Sequence, residues 1–190
     1  MGSDESFERK SYANAVNSVH TDITLPLNVF VGAWAEFLFF ESDAIFKPEF
    51  VAAMHDLLDA EMSHVCCLIN LGATKNVSSE PPAMFLGRSI DPAYYMRLLR
   101  GNGAPDSWLY LVDRYICASD VGDWCIYCEK ENDVAIIALR TTDSLNRFQS
   151  ALDRLHAEGL EKICGAEGVF PFTKLTAEWR NGLASHYKHK

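Results

Sequence analysis

The chain has 190 residues, 48% of them hydrophobic and 12% aromatic, which suits one domain with its own core and excludes disorder. Its net charge of −9 argues against a nucleic-acid binder, which needs cationic surface to release counterions. The six cysteines (Cys66, Cys67, Cys117, Cys125, Cys128, Cys164) lack the spacing of a disulfide framework and read as mostly buried thiols in a reducing cytoplasm.

Residues 1–22 are polar and mixed in charge, with no apolar core of a signal peptide. They are expected to be a partly mobile segment ahead of one globular domain over 23–190. Leu25 to Phe40 is the longest apolar stretch, yet it contains Gly32 and Glu36 and runs into Glu41 and Asp43. It is too short and too charged to cross a membrane, so no membrane partner is expected. Its apolarity fits a buried helix, while Val29 to Val31 and Phe37 to Phe40 fit short strands, and periodicity does not separate the two.

Pro48 opens a helix whose stripe is Phe50, Met54, Leu57, Leu58 and Val65. Only Glu61 breaks that stripe, and Asp56 and Asp59 fall off it. Cys66 to Leu71 reads as a strand, and residues 72–88, with Pro81-Pro82, read as a long loop. Asp91-Pro92 caps and starts the next helix, which Gly101-Asn102-Gly103 ends.

The β-prone runs at roughly 108–118, 123–129 and 133–140 are separated by short polar turns, which predicts an antiparallel meander. Helices follow from Ser144 and from Thr176. The whole reads as α+β, a single layer of sheet over about 108–140 packed by helices on one face.

The run Asp123-Trp124-Cys125-Ile126-Tyr127-Cys128 has the local pattern of a redox dithiol. Such a site sets its thiolate at a helix N-terminus, and here a turn follows instead. In a strand, residues three apart face opposite sides, so Cys125 and Cys128 diverge and read as structural. Glu61-x-x-His64 is half of a carboxylate di-metal signature whose second half is missing, so no metal or cofactor is expected. There is no Gly-x-Ser-x-Gly elbow, no His-Glu-x-x-His and no phosphate-binding glycine loop, and no residue is assigned a catalytic role.

Charge is unevenly spread. Between Glu36 and Glu61 stand seven acids and one base, Lys47, a local charge of −6. This predicts an acidic docking face made of Glu36, Glu41, Asp43, Glu49, Asp56 and Asp59, with a basic protein as partner. The expectation is a non-catalytic cytoplasmic interaction protein, of inhibitor or immunity type. The alternatives are a thiol–disulfide enzyme using Cys125 and Cys128, or an enzyme whose site is dispersed along the chain.

Overall fold

Three antiparallel strands with short turns form the centre of the molecule: β4 (Arg114–Ser119), β5 (Trp124–Glu129) and β6 (Val134–Leu139). This is a computed structural model, and it describes residues 4–72, 82–101, 108, 113–165, 172 and 175–188. The expected meander is therefore present, but its first strand starts later, at Arg114: Trp108 is helical, Asp113 lies in a bend, and residues 109–112 of that expectation lie outside the described residues. Gly122 turns β4 into β5 at φ 85, and a Cβ there would sit 2.8 Å from Asn14 Nδ2, so the turn needs glycine.

The sheet continues on both sides of the meander, in the order β3-β2-β4-β5-β6-β1-β7. The added strands are β1 (Glu36–Glu41), β2 (Val65–Asn70), β3 (Ala83–Gly87) and the two-residue β7 (Glu158–Gly159). All pairings are antiparallel. The stretch Leu25 to Phe40 is thus not helical: residues 25–35 are turn and coil with one isolated bridge, Phe30 to Val19, and only Phe37 to Phe40 lie in a strand, β1. Met84, Phe85 and Leu86, expected in a loop, form β3, whose only neighbour in the sheet among the described residues is β2.

Every position of β2, β5 and β6 is buried. A strand apolar on both faces needs cover on both, and this corrects the expectation of helices on one face only. On the first face, α2 (Phe50–Ala60), α3 (Pro92–Arg100), α4 (Ser144–Arg147) and α5 (Gln149–Leu155) follow in chain order. Met54, Leu57, Tyr95 and Leu152 from these helices pack on Leu68, Trp124, Ile126 and Ile137. On the second face lie α1 (Asp4–Asn17) and α7 (Ala177–Tyr187), where Ala15, Val29, Phe30 and Tyr187 pack on Cys67, Ile116, Tyr127 and Ile136. Each such large apolar side chain contributes about 1.5–3 kcal/mol relative to exposure.

From Asp4 on, the polar N-terminal stretch is thus part of this second layer. Helix α1 lies over β2 and β4 through the small buried residues Ser11 and Ala15, and Asn14 donates to the Ser119 carbonyl at 2.9 Å. Tyr187 ties α7 down: its hydroxyl accepts the Val29 N–H at 3.1 Å and donates to the Leu27 carbonyl at 2.8 Å. Two of the three helix caps read from the sequence are in place, while the one expected at Thr142-Asp143-Ser144 makes no side-chain cap. Asp91 accepts the Tyr94 N–H at 2.8 Å, and Thr176 accepts that of Trp179 at 3.3 Å.

Candidate functional site

At the β1 edge of the sheet the cover given by the described residues is short. Strand β7 pairs with β1 only at Leu38 and Phe39, and a short helix α6 (Leu160–Ile163) follows it at once. Helix α5 ends at His156, which adopts left-handed φ 52 so that its N–H and that of Ala157 return to the Asp153 and Leu152 carbonyls. This turn throws Glu158 back onto β1. Between the start of α2, the end of α5 and this strap a cleft of about 390 Å³ remains. Its floor is apolar: Phe50, Ala53, Leu155, Ile163 and Phe172. Its mouth carries Glu41, Lys47, Glu49, Arg154, His156 and Glu158. Size and lining are those of a ligand or side-chain pocket.

The mouth is largely self-paired. Lys47 Nζ meets Glu41 Oε2 at 2.7 Å, and Lys162 pairs with Glu158. Arg154 Nε meets Asp56 Oδ2 at 2.7 Å, and the Ser150 hydroxyl donates to the same oxygen at 2.5 Å. Among the described residues Glu49 makes no ion pair. It is exposed, and as the N-cap of α2 it makes no side-chain cap.

The six acids expected to form a docking face are therefore not equivalent. Glu41 and Glu49 line the cleft, and Asp43 is exposed on the adjoining 3-10 turn Ser42–Phe46. Glu36 lies on the far side of β7, at a second and more open cleft of about 500 Å³ with Phe37, Leu38, Leu145 and Tyr187. Asp59 is exposed but sits 3.3 Å from Arg88. Asp56, expected to face water, is half-buried between α2 and α5. Burial pushes its carboxyl up, but the hydrogen bonds from Ser150 and Arg154 outweigh that and hold it below the usual carboxylate range. Arg88 and Arg154 come from distant positions in the chain, so the folded face is less negative than its local sequence.

Comparison with protein-family models, with curated proteins and with solved structures finds no match to this chain.

Two further carboxylates are buried away from both clefts. Glu61, which broke the apolar stripe, accepts the Trp124 indole N–H at 2.8 Å and the Asp123 N–H at 3.4 Å. Burial raises its pKa against the opposing hydrogen bonds of Ser119 and Ser63. Glu129 accepts the Leu25 N–H at 2.8 Å and the Tyr127 hydroxyl at 2.6 Å, and burial raises it too. Both join distant segments: Glu61 ties the end of α2 to β5, and Glu129 ties the 23–25 loop to β5. Only one sign of this was in the sequence, a single acid in an otherwise apolar stripe.

Glu61 and His64 do not converge as metal ligands. Glu61 turns to Trp124, whereas His64 lies 3.5 Å from Asp120 and stacks on Phe7 at 3.9 Å. Among the described residues no group of three or more His, Cys, Asp or Glu side chains is arranged to hold a metal.

Cys125 packs into the α1/α7 face and Cys128 into the α2/α5 face. A disulfide between them needs both Cβ vectors on one side, which the strand forbids. Burial pushes the Cys125 thiol up to about 12 and Cys128 well above its usual value, so neither is a thiolate at neutral pH. No helix among the described residues is long and apolar enough to cross a membrane.

Proposed function

We propose that this chain is a non-catalytic, cytosolic protein-binding module that docks its acidic β1/α2 edge onto a basic protein, in the manner of an inhibitor or immunity-type protein. The observation that carries this reading is the cleft at that edge, which has an apolar floor and a charged mouth. Glu49 stands there without an ion-pair partner among the described residues, and Asp43 is exposed beside it. An apolar centre inside a polar rim is the anatomy of a protein interface. Unpaired carboxylates on the rim steer a basic partner and speed its association. The pairs Glu41–Lys47 and Asp56–Arg154 shape the cleft rather than supply field.

The test is affinity capture from the source organism at low and high salt, with wild-type and Asp43→Lys/Glu49→Lys baits. Wild type is expected to retain a basic protein at low salt that the charge-reversed bait loses. Equal recovery on both baits, or recovery of only acidic proteins, contradicts the reading.

A further inference from the structure

We infer that the 390 Å³ cleft receives a single lysine or arginine side chain of the basic partner. This rests on the docking reading above and adds to it the chemistry of the anchor.

The floor of Phe50, Ala53, Leu155, Ile163 and Phe172 is almost wholly carbon. Such a floor takes the aliphatic stem of a long side chain, while the polar head stays at the mouth. The sign of the head follows from what the mouth leaves unsatisfied. Lys47 is held by Glu41, Arg154 by Asp56 and Glu158 by Lys162. That leaves Glu49 as the mouth carboxylate without an ion pair among the described residues.

The backbone agrees in sign and adds a smaller preference. Leu155 and His156 at the cleft are the C-terminal end of the short helix α5, the negative end of its dipole, where the Leu152 and Asp153 carbonyls are already capped and Arg154 stands in the last turn. An anionic side chain meets Glu49 and that helix end with the wrong sign. A purely apolar one fills the floor and leaves Glu49 to water alone. A stem of three or four carbons bearing an ammonium or guanidinium satisfies both levels at once.

The test uses the full chain with labelled methyl groups and four probes: the Nα-acetyl methylamides of lysine, arginine, norleucine and glutamate. The lysine and arginine probes are expected to give saturable NMR shifts at the Ala53, Leu155 and Ile163 methyls. Norleucine is expected to bind roughly tenfold more weakly, and glutamate not at all. Glu49→Gln keeps the helix cap unaltered and is expected to weaken the lysine probe about fivefold. Glu5→Gln, the same charge change on α1 across the sheet, is expected to leave it unchanged. Ala44→Phe, on the cleft wall, should block the shifts without recharging the mouth. Equal binding of norleucine, or equal effects of Glu49→Gln and Glu5→Gln, overturns the inference.

A lysine-rich decapeptide separates this inference from the docking reading. If the decapeptide binds with salt-dependent affinity while the cleft methyls stay still, docking stands and the cleft anchor falls. If the lysine probe shifts the cleft methyls and the decapeptide binds no tighter, the cleft's preference for a cationic side chain stands, while the acidic-edge docking, and with it the partner as the source of that side chain, falls.

Discussion

Replacing Glu61 by Gln and by Leu separates the two things this buried carboxylate does. The indole N–H of Trp124, itself fully buried, has Glu61 Oε1 as its acceptor at 2.8 Å. Leu removes that acceptor and strands the donor, which costs about 1–3 kcal/mol. The Asp123 N–H contact at 3.4 Å is long and adds little. Gln keeps an acceptor oxygen for Trp124 and removes the buried charge. The pH dependence has a definite sign. The folded pKa of Glu61 is raised above 4.5, so as pH rises the unfolded chain gives up its proton first. The stabilisation from this group is therefore complete below that value and is lost as pH rises through the folded pKa. Glu61→Gln should gain on wild type from acid to neutral pH and be no less stable at pH 7, while Glu61→Leu should fall about 2 kcal/mol below both. Urea unfolding followed by circular dichroism at two pH values measures this. A Gln variant as unstable as Leu at neutral pH would mean that the negative charge itself is required, and the structural account of Glu61 would fail.

Asp56→Ala should cost about 1 kcal/mol, because the Ser150 and Arg154 contacts join α2 to α5. Its folded pKa is depressed below 3.8, so the wild-type advantage should be full above that value and shrink as pH falls through the folded pKa; a pH-independent difference in urea unfolding contradicts this. In the native protein a thiol reagent should label half-buried Cys164 first and leave Cys66, Cys67, Cys117, Cys125 and Cys128 until unfolding. Cys125→Ala with Cys128→Ala should lower stability by about 1 kcal/mol per site and leave partner binding unchanged; rapid labelling of either thiol refutes the structural assignment.

The meander, the α2 stripe as far as Leu58 and the caps at Asp91 and Thr176 were legible because each rests on local chemistry: short polar turns, helical spacing and side-chain acceptors beside bare N–H groups. Val65, expected to continue the stripe, instead opens β2, because the helix ends at Ala60. Two-sided cover was also written in the sequence, since Val134 to Leu139 is a continuous apolar run rather than an alternation. Edge strand β3 was hidden by Pro81 and Pro82, which stand just before it, and by its shortness. Helix α1 was masked because it packs through Ser11 and Ala15, which leave no apolar stripe. At the candidate site, the acids were visible but their partners were not. Arg88 and Arg154 reach Asp59 and Asp56 through tertiary structure alone, and so does the pairing of α5 with the start of α2 that makes the cleft.

The docking claim is tested most directly by stopped-flow association of the captured partner with wild type and with Asp43→Lys/Glu49→Lys over a range of salt. Both residues are exposed, so the substitutions should change folding stability by less than about 0.5 kcal/mol. The predicted result is an on-rate roughly tenfold lower at low salt, converging with wild type once the screening length falls to about 3 Å near 1 M salt. On-rates that match wild type at every salt concentration would contradict it.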